Sequence, residues 1–147
     1  MVVGCSMLLG VSVPCAFALE EPSAYVQTVS IRQLSGDITV KERILEHTNP
    51  AARGNSKTAT REQEYYSGST LIGKIAITGT FTYDGKTSRV TSKSVSSKKT
   101  YDGWSYQQNS FTSSGGTIEL TGKLKKVSYG SIDVDISLSC DKNGNIS

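Results

Sequence analysis

The sequence predicts an all-β protein, an antiparallel immunoglobulin-like β-sandwich, with a small β-barrel as the alternative. Period-2 alternation of apolar and polar residues recurs in several short stretches, the pattern of strands with one buried face. Turn signals built on Gly, Asp and Asn separate these stretches at short intervals, as in sandwiches and barrels. No helical periodicity of useful length follows residue 18.

The first element is a leader. Residues 2–18 are almost uninterruptedly apolar and close on Ala16-Phe17-Ala18, the small-x-small pattern of a signal-peptide cut site. Leu19-Glu20-Glu21-Pro22 then turns acidic. Residues 1–18 are therefore expected to be a signal peptide, with a secreted or cell-surface mature chain starting at Leu19. The run is slightly short for a membrane span of about 20 residues, and Pro14 is awkward in a permanent helix. A retained anchor is thus the lesser reading, and no transmembrane segment is expected after cleavage. No Lys or Arg precedes the run, which points to a start upstream of Met1 or to a weak signal. Val2-Val3-Gly4-Cys5 is not read as a lipid-attachment box, because mostly apolar residues continue after Cys5.

Composition describes a thin-cored, hydroxyl-rich β protein. Leu, Ile, Val and Phe make up 26 of the residues from 19 onward, near the one-fifth level at which disorder becomes a concern. The net charge is only +3, so the second signature of disorder is missing. Seven Tyr and one Trp add area to bury. With Cys5 and Cys15 removed, Cys140 is the lone cysteine and an intramolecular disulfide is excluded. His47 is the single histidine. Cys/His zinc cages are thereby excluded, as is every Cys-His catalytic pair except Cys140 with His47.

Residues 19–36 are expected to be a flexible N-terminal segment with a short strand over 26–31, followed by a single β domain over 37–147. Residues 37–46 lean to strand, since Ile38 and Val40 alternate, although Ile44 and Leu45 break the pattern. Asn49-Pro50 and Arg53-Gly54-Asn55 make 47–57 a loop. Leu71, Gly73, Ile75, Ile77, Gly79, Phe81 and Tyr83 then share one parity in a long strand. Asp84-Gly85 ends it as a two-residue hairpin with both residues at positive φ. A partner strand follows over 87–95, with a bulge between Val90 and Val95, which differ in parity. A further strand covers 104–112, and Ser113-Ser114-Gly115-Gly116 is a turn. Ile118, Leu120, Gly122 and Leu124 alternate in the next strand. After Tyr129-Gly130, Ile132, Val134, Ile136, Leu138 and Cys140 alternate in the last, which should point Cys140 into the core. Ile77-Thr78-Gly79-Thr80-Phe81 and Leu120-Thr121-Gly122-Lys123-Leu124 read as equivalent core strands. An inward Gly in each leaves room for a large side chain from the facing sheet.

The stretch Thr78-Gly79-Thr80-Phe81-Thr82-Tyr83-Asp84-Gly85-Lys86-Thr87, with the tail Cys140-Asp141-Lys142-Asn143-Gly144-Asn145, resembles a group of small secreted proteins of Gram-positive bacteria with no assigned activity. The resemblance runs from about Tyr65 to the C terminus. It implies secretion and a Gram-positive origin, and it carries over no functional residues.

Lys86, Arg89, Lys93, Lys98 and Lys99 place five positive charges between Gly85 and Thr100 with no acid among them. Lys123, Lys125 and Lys126 would extend a basic stripe if the strands are neighbours. Such a stripe attracts cell-wall polymers or anionic surfaces; edge lysines that block strand-to-strand aggregation are the competing reading. Nucleic acid is not expected, because no stacking motif or groove-reading helix accompanies the charge. Tyr101, Trp104 and Tyr106 surround Asp102-Gly103; Trp104 is expected in the core, and Tyr101 at an exposed contact. Asp133 and Asp135 share a strand face that should look to water, not into a catalytic pocket. Asp141-x-Asn143-x-Asn145 lacks the Gly and the bidentate Glu of a calcium loop and reads as a terminal turn. His47 reads as an exposed polar residue, without a G-x-S-x-G elbow to suggest a triad. No cofactor, metal site or catalytic residue is expected. The function expected is a binding or structural role; a secreted toxin or antimicrobial is the alternative, and a small hydrolase a lesser one. Ligand and oligomeric state are not legible.

Overall fold

The computed structural model describes residues 24–47 and 55–147. The expected signal peptide and its cut site, and most of the 47–57 loop, lie outside the described residues. Among the described residues no helix is long and apolar enough to cross a membrane.

Eight strands follow in order: β1 Ala24–Gln33, β2 Ile38–His47, β3 Ser56–Ser67, β4 Thr70–Tyr83, β5 Ser88–Thr100, β6 Ser105–Ser114, β7 Thr117–Lys126 and β8 Gly130–Ser139. β1 to β5 form one antiparallel sheet and β6 to β8 a second. The two pack face to face over a single core. The all-β sandwich is as expected, but its connectivity is not immunoglobulin-like. Neighbours in each sheet are consecutive in sequence, whereas the immunoglobulin arrangement interleaves strands between sheets. Most connections within the sheets are short turns, which leave consecutive strands as hairpin partners. The chain changes sheets once, between β5 and β6. Nor do the sheets close into a barrel: at the β5–β6 seam a single backbone bond, from Val90 N–H to the Gly115 carbonyl at 2.9 Å, spans the gap.

The core faces follow the alternation. β4 contributes Ile75, Ile77 and Phe81; β7 contributes Ile118, Leu120 and Leu124; β8 contributes Val134, Ile136 and Leu138, all fully or nearly fully buried. The two inward glycines are occupied differently. A Cβ on Gly79 would lie 2.2 Å from Ile118 Cδ1, so the facing sheet fills that space as expected. Gly122 is covered instead by Tyr106 of the adjacent strand, whose hydroxyl would lie 2.8 Å from such a Cβ. Trp104 is buried and its ring centroid lies 5.2 Å from that of Tyr129. Cys140 is 4 % exposed, just past β8, where it bridges to Ile146; burial pushes its thiol pKa up.

The sequence reading missed β3. Its inward positions, set by register against β2 and β4, are Lys57, Ala59, Arg61, Gln63 and Tyr65, which carry no hydrophobic alternation. The polar ones enter a network that leaves the buried Arg61 Nε without a partner. Arg61 donates to Glu42 at 3.0 Å and to the Ser137 carbonyl at 2.6 Å. Gln63 donates to Glu42 at 2.5 Å and to the Asp135 carbonyl at 3.3 Å, and Tyr65 donates to Gln63. The acceptors Asp135 and Ser137 lie on β8, so the network stitches one sheet to the edge strand of the other. Burial raises the Glu42 pKa, but hydrogen bonds from Arg61 and Gln63 and the nearby guanidinium charges outweigh it and hold the carboxyl below its usual range. Burial raises the Tyr65 hydroxyl pKa.

Asp84-Gly85 is not a two-residue turn: only Gly85 has positive φ. The loop is four residues long because Asp84 accepts hydrogen bonds from Lys86 N–H at 2.9 Å and Thr87 N–H at 2.7 Å. These bonds, Thr87's first, hold the Asp84 carboxyl below its usual range. The tight Asp-Gly turn with both residues at positive φ is Asp102-Gly103, at 57° and 80°. It is closed by Trp104 N–H to the Tyr101 carbonyl at 3.1 Å and joins β5 to β6. At the C terminus Asp141 accepts from the Asn143 and Asn145 backbones and from the Asn145 side chain, the terminal turn expected.

Candidate functional site: the cationic edge strand and its cleft

β5 is the edge strand that holds the cationic run, and its register decides where each charge points. Directly opposed residues on neighbouring strands share a face. Arg89 opposes Thr82 and Lys99 opposes Lys74, on the outer face of the five-stranded sheet. Lys93 opposes Gly79 and Lys98 opposes Ile75, on the inner face. Register shifts leave Thr91 and Ser96 unpaired. The bulge expected between Val90 and Val95 is the one at Thr91, and it turns Lys93 away from the face of Arg89. Lys86 is exposed in the preceding turn.

The inner pair meets the second sheet at the open seam. Lys93 donates to the Phe111 carbonyl at 3.0 Å, with its ammonium 4.8 Å from the Phe111 ring centroid, a cation–π contact. Lys98 overhangs an open cleft of about 350 Å³ lined also by Thr100, Ser105, Tyr106 and Gln108. No carboxylate lines it. Burial raises the Tyr106 hydroxyl pKa, and that hydroxyl has no hydrogen-bond partner. Thr100, Ser105 and Gln108 escaped the sequence reading, and Tyr106 entered it only in the aromatic cluster around Asp102-Gly103. The missed signal was Asp102-Gly103: read as a tight hairpin, it folds 98–100 against 105–108. On the outer face Arg89 borders a hollow of about 410 Å³ with Thr82, Tyr83, Asp84 and Thr87. Tyr101 is 40 % exposed at the end of β5.

The lysines of the second sheet do not extend this stripe. Lys123 pairs with Asp133 at 2.7 Å and Lys126 with Asp102 at 3.3 Å, while Lys125 donates to Gln107 at 2.6 Å. Elsewhere Arg43 pairs with Glu62, Arg61 with Glu42, Lys74 with Glu62 and Lys57 with Glu46. Against these, Lys86, Arg89, Lys93, Lys98 and Lys99 make no ion pair among the described residues.

The other candidates are placed elsewhere. Asp133 and Asp135 are exposed on the outer face of the second sheet. His47 is half-buried rather than exposed; it opposes Thr58 on the outer face of the first sheet and bonds Thr60 at 2.9 Å. Cys140 lies in the core, so the two cannot form a pair. Among the described residues no three His, Cys, Asp or Glu side chains are grouped to hold a metal ion. Compared with protein-family models, curated proteins and solved structures, the chain matches none of them.

Proposed function

We propose that this protein is a secreted or cell-surface β-sandwich that binds an anionic polymer of the cell wall and performs no catalysis. One observation carries the reading. The cations of β5 and its turn stand without carboxylate partners, while those of the sheet faces are largely paired. Cations without ion-pair partners along one strand give a local positive field, offset near Arg89 by the Asp84 carboxylate that lines the same hollow. The apolar run closing on Ala16-Phe17-Ala18 and the resemblance to small secreted Gram-positive proteins support the wall as the setting. The sandwich is of immunoglobulin type in layering alone.

Bulges and lysines on β5 also discourage strand-to-strand pairing, and the experiment separates that role from binding. The mature protein should sediment with purified cell walls at low salt and be released as ionic strength rises, because exposed charges are screened within about 8 Å at physiological salt. Replacing Lys86, Arg89, Lys93, Lys98 and Lys99 together with Gln should abolish sedimentation. Unchanged sedimentation by that variant would contradict the reading; new aggregation would point to edge protection instead.

A second reading, a toxin or antimicrobial acting on membranes, draws on Val29 and Ile31, 54 % and 68 % exposed on β1 and opposed to Arg43 and Lys41. Leakage of dye from anionic vesicles tests it.

A further inference from the structure

Resting on that reading, we infer that the ligand is a flexible polyanionic chain rather than a flat anionic surface, and that one acidic, hydroxyl-bearing unit of it enters the cleft at Lys98. The argument begins with register. Lys93 and Lys98 project from the inner face of β5, and Arg89 and Lys99 from the outer face. A plane can meet one side of an edge strand. It cannot reach the exposed ammonium groups on the inner side, at the seam, and the cations on the strand's far face together. A chain can pass along the edge and bend toward both.

The cleft wall then specifies chemistry. Lys98 offers an ammonium with three donors and no partner in the fold. Thr100 offers a hydroxyl that both donates and accepts, Ser105 a hydroxyl that donates to the Lys125 carbonyl and can still accept, and Gln108 an amide with both functions. One positive charge among neutral donor–acceptor groups, with no carboxylate, suits an anion whose neighbouring atoms carry hydroxyls. A phosphodiester-linked polyol and a uronic-acid polysaccharide share that chemistry. Tyr106 floors the cleft: its ring lies over Gly122 and its hydroxyl is buried there, which leaves Lys98, Thr100, Ser105 and Gln108 to meet a ligand.

The test compares neighbours in sequence that point to opposite faces. Binding of the mature protein is measured by calorimetry to poly(glycerol phosphate), to oligogalacturonate and to phosphatidylglycerol vesicles, at one fixed salt concentration. At least one chain should bind and the vesicles should not; which chain binds tells phosphate from carboxylate. Lys98→Gln should weaken binding about tenfold, the loss of a charged hydrogen bond, and Lys99→Gln less than about threefold, as for an exposed charge. Equal effects of Lys98→Gln and Lys99→Gln, or vesicles binding as tightly as the chains, would overturn the inference while leaving wall binding standing. Failure of both chains to bind would overturn it as well. Wall sedimentation that ignores all five cations would instead remove the reading beneath it.

Discussion

Replacing Arg61 with Met should destabilise the fold by about 3 kcal/mol, near the low end for breaking a buried ion pair. Arg61 makes two bonds that the substitution deletes: to Glu42 at 3.0 Å and, across the sheets, to the Ser137 carbonyl at 2.6 Å. Met fills similar space, so little packing is lost. Glu42 is left mostly buried, with Gln63 as its remaining donor, and the carbonyl loses its side-chain donor. The low end of the range applies because the Arg61 side chain keeps 24 % of its exposure and Glu42 15 %. Against a total stability of roughly 5–15 kcal/mol for a domain of this kind, the loss is large. Equilibrium urea unfolding followed by Trp104 fluorescence measures it. The double variant Glu42→Leu with Arg61→Met should be more stable than Arg61→Met alone, because the stranded charge is gone. A single variant within about 0.5 kcal/mol of the parent would show that the network behaves like a surface pair. A double variant no better than the single would refute the stranded-charge argument.

Other outcomes follow from the same structure. Acid should weaken the fold through Glu42: its folded pKa lies below the ordinary 4.5, so its contribution is complete above that pH and is lost as pH falls through the lower folded value. Glu42→Gln should flatten that part of a stability-versus-pH curve. Gly79→Ala should cost about 1–3 kcal/mol, since its Cβ would meet Ile118 Cδ1 at 2.2 Å and Phe81 Cζ at 3.0 Å; Ile118→Val alongside it should recover part of the loss in the same unfolding assay. Cys140 should resist a thiol reagent in the native protein and react at once in denaturant, being 4 % exposed with its pKa raised by burial. Rapid native labelling would mean that the C-terminal segment 140–147 does not hold its place over the core.

The strands that showed most regularly in the sequence are those whose inward residues are all apolar or Gly. β4, β7 and β8 alternate cleanly because Ile, Leu, Val and Phe fill the space between the sheets. β3 did not show because its inward positions hold Lys57, Arg61 and Gln63, which find partners on β2 and β8 that no local pattern reveals. The same cause obscured β2, where Glu42 and Glu46 occupy inward positions between Val40 and Ile44 and beyond. The cationic run was legible as a run, but its distribution over two faces depends on the unpaired Thr91 and Ser96. The cleft was illegible for a third reason. It exists because the Asp102-Gly103 turn brings Thr100 and Lys98 beside Ser105, Tyr106 and Gln108, and those residues carry no signal in isolation.

The most direct measurement of the central claim is an amide chemical-shift map of isotope-labelled mature protein titrated with poly(glycerol phosphate) or oligogalacturonate. Perturbations should concentrate at Lys93, Lys98, Thr100, Ser105 and Gln108 and fade as salt is added. The outer face of β7 and β8, where Lys123 is already paired with Asp133, should stay silent. Shifts centred on that face, or saturable binding that leaves β5 and β6 unmoved, would contradict the assignment of the β5 edge as the binding site.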